Sequence, residues 1–190
     1  MDIAQESLSD IDLVAVVLSD KNAFSTIIFR YEAPLRRYIR RLGVRDTRDI
    51  EDLLQNIFIK VYRYLKSFDQ SFSFSSWIYR IAHNETYDFF RAKKRRPEAP
   101  LEEDSEQLFT SIQSEEISPE EKFDNTISFL EINKLLQGLD RKYRDVLLLR
   151  YVEEKDYRQI SDILQIPEGS VATLIHRGKK ELKKAFIKNK

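Results

Sequence analysis

The stretch ISDILQIPEGSVATLIHRGKKELKK, residues 160–184, carries a helical pattern that stops just before Pro167 and resumes directly after it. One helix is predicted over residues 157–165, and a second is predicted to begin at Gly169 or Ser170. The second helix opens with small residues, which let a backbone approach another molecule closely, and then becomes strongly basic. The pattern predicts a helix-turn-helix whose second helix enters the DNA major groove. It leaves open an ordinary helical hairpin with a solvated basic face. The predicted inner face comprises Ile160, Ile163, Leu164, Val171, Ile175 and Leu182.

The composition limits the classes of function that the chain can have. The 190 residues are 42% hydrophobic and 34% charged, with 32 basic and 32 acidic side chains, which suits one large or two small domains. There is no cysteine and only four glycines, so disulfides, thiolate chemistry and a glycine-rich phosphate loop are excluded. His83 and His176 are isolated, and no nucleophile stands beside a base. We therefore expect a protein that is not an enzyme and that has no cofactor and no metal site.

The N-terminal residues and the hydropathy of the chain favour a cytoplasmic protein with no membrane partner. The first residues, MDIAQESLSDIDL, begin acidic and lack the basic segment of a secretory signal. The apolar run that follows them is far too short to span a bilayer.

Helical periods without any strand pattern predict an all-α chain. Apolar residues between Phe24 and Leu42 keep a helical period, in which Pro34 is expected to kink or split the helix. The recurrence of apolar residues at steps of three and four is clearest from Ile50 to Leu65, where Tyr62 is predicted to lie on the inner face. Asp46 or Thr47 is the predicted cap of this helix. A further helix is predicted from Trp77, capped by Ser75 or Ser76 and ending in the basic cluster before Pro97.

The charge pattern divides the chain into two helical domains joined by a flexible acidic linker. Residues 98–126 are acidic, contain two prolines and have little apolar content, which is typical of a tether. The predicted domains are therefore residues 1–97 and 127–190, and both are mildly basic. In the second domain, Gly138 is expected to interrupt the helical pattern and Asp140 to cap the helix that follows.

Long segments of both domains resemble one family of transcription factors. The segment LDRKYRDVLLLRYVEEKDYRQISDILQIPEGSVATLIHRGKKEL resembles region 4 of sigma-70-family sigma factors. The segments DIEDLLQNIFIKVYRYLKSFD and SFSSWIYRIAHNETYDFFRAKKRR resemble region 2 of the same family. Two such domains with a short linker match the extracytoplasmic-function group. The resemblance implies bacterial RNA polymerase core and promoter DNA as partners, with an anti-sigma factor as a further partner. It also implies that region 2 recognises and melts the −10 element, whereas region 4 binds the −35 element as duplex.

The resemblance assigns polymerase binding to the start of the clearest helix. The matching residues are Asp49, Glu51, Asp52 and Gln55. Acids at a helix N-terminus are also favoured by the helix dipole, but the dipole gives no reason for Gln55.

The Ser- and Phe-rich segment before Trp77 is the predicted melting site. Aromatic rings can replace the base stacking that is lost on strand opening, at about 1–3 kcal/mol per base. Phe72 is expected to be exposed, whereas core packing is favoured for Phe74 and Trp77. Glu85 would repel nearby phosphate. The candidate −10 residues are Phe68, Ser71, Phe72, Ser73, Trp77, Arg80, Asn84, Arg91, Lys93, Lys94 and Arg95.

The second helix of the helix-turn-helix carries most of the candidate −35 residues, although it departs from the family pattern. Gln165 stands where relatives often have glycine, and a left-handed conformation there would cost about 1 kcal/mol. Ala172 and Leu174 replace residues that are usually basic. Gly178 replaces alanine, at about 1 kcal/mol of helix propensity. The candidates are Arg158, Ser170, Ala172, Thr173, His176, Arg177, Lys179 and Lys180.

Two other functions compete with a working sigma factor. The first is a DNA-binding regulator that shares only the helix-turn-helix, which the region 2 resemblance disfavours. The second is a polymerase-binding or anti-sigma-binding decoy that lacks initiation activity, which the weakly basic start of the second helix keeps open.

Overall fold

The computed structural model describes residues 8–95 and 134–188. Every long secondary-structure element in these two ranges is a helix, and no strand occurs in them. The all-α prediction is therefore confirmed. The predicted linker, residues 98–126, lies outside the described residues, as does most of the helix expected to precede Gly138. Within the described residues, no helix is both long enough and apolar enough to cross a lipid bilayer.

The N-terminal unit is a bundle of four helices. These are α1, Asp10–Ser19; α2, Phe24–Leu42; α3, Thr47–Tyr64; and α4, Phe74–Arg95. Short 3₁₀ turns, Lys21–Ala23 and Leu65–Ser67, follow α1 and α3. Helix α4 packs against α1, α2 and α3, so it lies at the centre of the unit. The N-terminal helix is tied to the bundle through Asp10, which accepts hydrogen bonds from Arg30 at 2.7 Å and from the Tyr31 hydroxyl.

Helix α2 runs unbroken through Pro34, so the expected split does not occur. Proline removes one backbone hydrogen bond from a helix, but burial of Tyr31 and Leu35 on either side holds α2 in the bundle. The helix ends at Gly43, whose φ of 116° places it in the left-handed region that glycine adopts at low cost.

The pattern in α3 predicted its buried face with one error. Asp46 caps the helix as expected, since its side chain accepts from the backbone N–H groups of Arg48 and Asp49. The apolar positions at steps of three and four are buried, but Tyr62 is 44% exposed. The error has a physical reason, because the Tyr62 ring packs edge-on against Phe24 at the rim of the bundle, with ring centroids 5.1 Å apart.

Helix α4 begins three residues earlier than predicted. It starts at Phe74, and the residue before it, Ser73, accepts a hydrogen bond from the backbone N–H of Ser76 at 3.3 Å. Ser73 therefore acts as the cap in place of Ser75 or Ser76. The early start places Phe74 inside the helix, where its ring is 1% exposed.

The C-terminal unit contains three long helices among its described residues. These are α5, Arg141–Tyr151; α6, Tyr157–Leu164; and α7, Glu168–Lys188. Asp140 caps α5 as predicted, by accepting from the Lys142 backbone N–H at 3.3 Å. Helix α7 packs across α5 and α6, and α6 packs in turn against α4 of the N-terminal unit. The two units therefore contact each other directly.

Gly178 lies where α7 crosses α5, and close packing explains why the helix tolerates a glycine there. An alanine Cβ at this position would lie 3.1 Å from Cδ1 of Leu147 and 3.3 Å from Cβ of Tyr143. Alanine usually stabilises a helix by roughly 1 kcal/mol relative to glycine. We expect Gly178→Ala to produce none of this gain in unfolding free energy. The matched control is Gly169→Ala, since a Cβ at Gly169 meets nothing within 4 Å. Chemical denaturation of both variants checks the prediction, and equal stabilisation of the two would contradict it.

Candidate nucleic-acid interface

The turn between α6 and α7 is held by a dense set of short-range hydrogen bonds. The side chain of Asp156 accepts from the Gln159 backbone N–H at 2.7 Å, and the Gln159 side chain accepts from Asp156 N–H at 3.0 Å, so the two form a capping box. Gln165 ends α6 with a φ of 55°, so the left-handed conformation that costs a residue other than glycine is present in this turn. The Ser161 hydroxyl donates to the Ile166 carbonyl, and Ser170 N–H donates to the Pro167 carbonyl at 2.8 Å. These contacts fix the angle at which α7 leaves the turn.

Helix α7 begins at Glu168, one residue before the first of the two predicted starts, Gly169 and Ser170, and presents a continuous exposed face. Its predicted inner residues Val171 and Ile175 are buried against the rest of the unit, and Leu182 is half-buried. The opposite face is exposed at every candidate position on this helix: Ser170, Ala172, Thr173, His176, Arg177, Lys179 and Lys180. Arg158 is exposed at the start of α6. The small residues therefore precede the basic ones along one accessible helix face.

Two side chains on this face have local contacts that limit what they can offer to a partner. The Thr173 hydroxyl donates its hydrogen to the Gly169 carbonyl at 2.9 Å, so its methyl group and the two lone pairs of its oxygen are what remain for a base edge. The Lys179 ammonium lies 5.3 Å from the centre of the Tyr151 ring. A hydrogen bond to Tyr151 raises the pKa of Lys179, which therefore stays charged.

The start of α3 exposes an acidic and amide face beside an apolar cleft. Glu51, Asp52 and Gln55 are exposed, and within residues 8–95 and 134–188 no side chain forms an ion pair or hydrogen bond with Asp52 or Gln55. Asp49 differs from them, because it is half-buried and pairs with Lys93 at 3.3 Å. The cleft has a volume of about 570 Å³. It is lined by Phe24, Ile28, Gln55, Phe58, Ile59, Tyr62 and Arg63.

The aromatic segment before α4 separates into one exposed ring and three packed rings. Phe72 is 40% exposed, as expected from the sequence. Phe74 lies in the core, also as expected, and Trp77 is half-buried against it with ring centroids 5.6 Å apart. Phe68 is only 8% exposed and packs edge-on against Phe74. A buried ring cannot stack on a base without unpacking the core, so Phe68 is a core residue and not a candidate DNA contact.

The polar candidates near Phe72 lie on both sides of the start of α4. Ser71 is exposed, and its backbone N–H is held at 2.9 Å by the Asp69 carboxylate, whose pKa is lowered by this bond. Asn84 is exposed on α4, whereas Arg80 is half-buried. Glu85, which was expected to repel phosphate, forms an ion pair with Lys60. This pairing offsets its negative charge.

The last two turns of α4 form an exposed basic surface. Arg91, Lys93, Lys94 and Arg95 are all exposed. Two of the four cations have acidic neighbours, since Arg91 pairs with Asp88 and Lys93 with Asp49. Exposed pairs of this kind are worth little in water, about 0–1 kcal/mol, so phosphate can compete for both cations.

A buried polar network joins the two units and was not predicted from the sequence. Asp145 on α5 is 3% exposed, and both of its oxygens accept from the Tyr87 hydroxyl of α4, at 2.7 and 2.9 Å. Arg144 donates to the Tyr87 oxygen at 2.9 Å, and the Arg141 guanidinium lies 3.2 Å from the centre of the Tyr87 ring. His83 Nε2 lies 3.9 Å from the Asp145 carboxylate. The sequence feature that could have indicated this network is Asp145, an acidic residue that directly precedes the apolar run Val-Leu-Leu-Leu.

Burial dominates the ionisation of this network. It raises the pKa of the Asp145 carboxyl, against the opposing effects of Tyr87 and the two arginines. Burial and the neighbouring carboxylate raise the pKa of Tyr87 to about 12. Burial and the charges of Arg141 and Arg144 lower the pKa of His83 to about 3, so its imidazole is neutral at pH 7. The Tyr38 hydroxyl lies 3.0 Å from His83 Nδ1 and extends the network into the N-terminal bundle.

A second polar cluster joins the two units at the loop after α5. The Glu153 carboxylate accepts from Arg41 at 2.8 Å and from the Tyr79 hydroxyl at 2.8 Å. The Lys155 ammonium donates to the Ser75 hydroxyl at 2.8 Å and lies 4.3 Å from the centre of the Tyr79 ring. The interface therefore places charged groups of the C-terminal unit against hydroxyl and cationic groups of the N-terminal unit.

Comparisons with known proteins match both units. The family model for Sigma-70 region 2 matches residues 27–96, and that for Sigma-70, region 4 matches residues 129–182. ECF RNA polymerase sigma factor SigW of Bacillus subtilis (strain 168) is 34% identical, over 87% of this chain and 89% of that protein. The ECF RNA polymerase sigma-E factor of Haemophilus influenzae is 31% identical, over 92% of this chain and 93% of that protein.

Two solved structures have the same fold. CnrH in complex with the cytosolic domain of CnrY superposes with a TM-score of 0.69 at 20% identity, over 95% of this chain and 99% of that one. RpoE in complex with the anti-sigma factor NepR from Bartonella quintana superposes with a TM-score of 0.62 at 18% identity, over 86% and 96% of the two chains.

Proposed function

Since the chain belongs to the sigma-70 family, as an RNA polymerase sigma factor of the extracytoplasmic-function type, we propose that separate exposed faces bind core polymerase, the −10 element and the −35 element. The chain directs promoter-specific transcription by bacterial RNA polymerase core. Nothing in the comparisons favours a decoy that lacks initiation activity. Sigma factors initiate transcription without catalysis, so we assign no catalytic residue. We place the protein in the cytoplasm, where its partner polymerase works on DNA.

The exposed start of α3 is the proposed binding face for the polymerase core. Asp52 and Gln55 carry the proposal, because both are exposed on a helix whose inner face is already packed. The apolar cleft beside Gln55 offers a place for apolar side chains of the partner, and a polar rim around an apolar centre is the usual form of a protein interface. Asp49 contributes less to this face, since it is half-buried.

Removal of the two side chains tests this face. We expect Asp52→Ala plus Gln55→Ala to weaken binding to core polymerase at least tenfold, about 1.4 kcal/mol, because hydrogen bonds across the interface are lost. Circular dichroism should show unchanged helicity and melting, since neither side chain supports the fold. The control is Lys66→Ala plus Gln70→Ala, two exposed residues beyond α3. Fluorescence anisotropy measures both, and parent-like affinity of the first variant would refute the assignment.

The proposed −10 site lies around Phe72 at the start of α4. Phe72 supplies an accessible ring for stacking on an unpaired base. Ser71, Ser73 and Asn84 are proposed to contact base edges, with Trp77 and Arg80 beside them. The basic end of α4 from Arg91 to Arg95 then continues the track along the phosphates.

The proposed −35 site is the exposed face of α7 together with Arg158. Ser170, Ala172 and Thr173 lie in its first turns, which reach base edges when such a helix enters the major groove. The later side chains His176, Arg177, Lys179 and Lys180 are proposed to lie along the phosphate backbone. Phosphate contacts set the position of the helix, whereas contacts from the first turns determine sequence preference.

An anti-sigma factor is a proposed further partner. The two solved structures named above are complexes, CnrH with the cytosolic domain of CnrY and RpoE with the anti-sigma factor NepR. A protein that covers the start of α3 would compete directly with core polymerase for Asp52 and Gln55.

A further inference from the structure

We propose that Tyr151, the last residue of α5, is a positioning residue for −35 binding, which holds the Lys179 ammonium in place for a DNA phosphate. This inference rests on the proposed function, because it assumes that α7 enters the major groove with Lys179 along the phosphate backbone. Tyr151 is not one of the −35 residues that the sequence indicated, and it lies on a helix that supplies none of them.

The contact between Tyr151 and Lys179 leaves several hydrogen-bond donors at one point. The Lys179 ammonium lies 5.3 Å from the centre of the Tyr151 ring. It also donates a hydrogen bond to the Tyr151 hydroxyl oxygen. An ammonium has three donor hydrogens and a phenol has one, so two hydrogens of Lys179 and the hydroxyl hydrogen of Tyr151 remain available. Donors grouped in this way fit an anion with several acceptor oxygens, such as a phosphate.

The pair is exposed, and an acidic side chain does not occupy the lysine. Tyr151 is 53% exposed, and Lys179 is exposed beside it. Among the described residues no carboxylate forms an ion pair with Lys179, whereas Lys184 further along α7 pairs with Glu181 at 2.8 Å. A lysine paired with an acid must exchange that acid for phosphate. Lys179 is held by a neutral ring instead, so its full charge is available to DNA.

The close crossing of α5 and α7 brings the two residues together. Gly178, which directly precedes Lys179, packs so tightly that a Cβ there would lie 3.1 Å from Cδ1 of Leu147. Tyr151 follows Leu147 by four residues, so it lies one turn further along the same face of α5. Lys179 therefore leaves α7 beside the end of α5, within reach of the Tyr151 ring.

Lys179 is the first lysine or arginine on its edge of α7. Ala172, His176, Lys179 and Lys183 follow each other at steps of four and three residues, so they share this edge. Ala172 brings no charge to the part of the edge that lies nearest the turn. Phosphate binding by a lysine along this edge therefore begins with Lys179, and a fixed position for its ammonium has a large effect.

A second pair of a cation and a phenol adjoins the first. The Arg150 guanidinium lies 5.5 Å from the centre of the Tyr157 ring and donates to the Lys155 carbonyl at 3.0 Å. After the hydrogen bond to Tyr151, the smaller effects on the pKa of Lys179 include those of Tyr157 and Arg150, so the two pairs form one cluster. The cluster thus lies between the edge of α7 and the start of α6, where Tyr157 is the first residue.

Positioning in advance removes a cost that a mobile lysine bears when it binds. Lysine has a long flexible stem, and fixing one such side chain at an interface lowers affinity by about twofold to twelvefold. The contact with Tyr151 restricts Lys179 before the DNA arrives. We therefore expect Tyr151 to raise affinity about threefold to tenfold. The gain should be the same for every DNA sequence, because phosphate contacts carry no sequence information.

A double-mutant cycle between the two residues tests the proposal. Tyr151→Leu removes the ring and the hydroxyl but leaves the lysine charge, whereas Lys179→Gln removes the charge. Each full-length protein is bound to core polymerase, and affinities for a matched and a scrambled −35 duplex are measured across a salt series. Tyr151→Leu should lower both affinities about threefold to tenfold in the parent, but less than about 1.5-fold in the Lys179→Gln background. Lys179→Gln should reduce the salt slope by about one unit.

Two matched controls separate positioning from general charge and from loss of a ring. Lys183→Gln removes the same charge one turn further along the same edge, so Tyr151→Leu should keep its full effect in that background. Tyr64→Leu removes a tyrosine of similar exposure, 51%, from the N-terminal unit and should leave binding to the −35 duplex unchanged. Thermal melting should show that Tyr151→Leu is folded as the parent is.

The cycle distinguishes failure of the positioning role from failure of the proposed function. Equal effects of Tyr151→Leu in the parent and in the Lys179→Gln background would overturn the positioning role, because a purely structural residue acts independently of the lysine. The absence of any effect in the parent would also overturn it. If the parent complex bound matched and scrambled duplexes equally, the proposed −35 function of α7 would be refuted, and the role of Tyr151 with it.

Discussion

Ala172→Glu should abolish sequence-specific binding to a −35 duplex, with a loss of at least a hundredfold in affinity. Ala172 is exposed in the second turn of α7, between Ser170 and Thr173 on the face that is proposed to meet base edges. A glutamate there adds bulk where the helix must approach closely, and it places a negative charge inside a groove flanked by phosphates. The fold should be unaffected, because the side chain points away from buried Val171 and Ile175.

The measurement is binding of the complex with core polymerase to a matched and a scrambled −35 duplex. The control is Lys183→Gln, which lowers the net charge by the same single unit at an exposed site near the far end of α7. The control should lose affinity modestly and equally for both duplexes, since a lost phosphate contact weakens all sequences alike. If the Ala172→Glu complex binds the matched duplex as tightly as the parent complex, α7 does not enter the groove in this way.

Alanine substitutions at two neighbouring phenylalanines should have different effects: one should lower stability, and the other should impair strand opening. Phe74→Ala removes a ring that is 1% exposed, at an expected cost of about 3–5 kcal/mol of unfolding free energy. That loss should lower the melting temperature by at least about 6 °C. Phe72→Ala removes an exposed ring and should change stability by no more than about 0.5 kcal/mol. The same change should disfavour strand opening by about 1–3 kcal/mol, the value of one stacked base.

Thermal melting and 2-aminopurine fluorescence at the −10 element separate the two effects. A template with a pre-opened −10 region should restore initiation by Phe72→Ala, because the missing ring is no longer needed to start opening. It should not restore initiation by Phe74→Ala, whose defect lies in the fold. Normal strand opening by Phe72→Ala on closed duplex would contradict the role assigned to this ring.

The sequence predicted the parts of the fold that depend on local periodicity. The step pattern of α3 located its buried face, and the Pro167 break located the turn between α6 and α7. The glycine that the family often has at position 165 marked this turn as either strained or differently shaped, and the φ of 55° at Gln165 is the strained case. These features were accessible because each depends on residues close together in the chain.

The errors arose where packing between distant segments decides the outcome. The Ser-rich segment around Phe68 is typical of an exposed loop, but contacts with Phe74 and Trp77 bury the Phe68 ring. Proline inside a helical pattern predicts a kink or a break, but tertiary packing keeps α2 continuous across Pro34. The bonds between Tyr87 and Asp145 join positions 58 residues apart, and no periodicity within either helix indicates such a pair.

Run-off transcription with purified core polymerase decides whether this chain selects promoters. Core polymerase, with and without the chain, is supplied with fragments of the genome that encodes it, and transcript ends are mapped. We predict discrete start sites that require this chain, with a shared −35 and −10 sequence upstream of them. Start sites that are the same with and without the chain would contradict promoter selection by this protein.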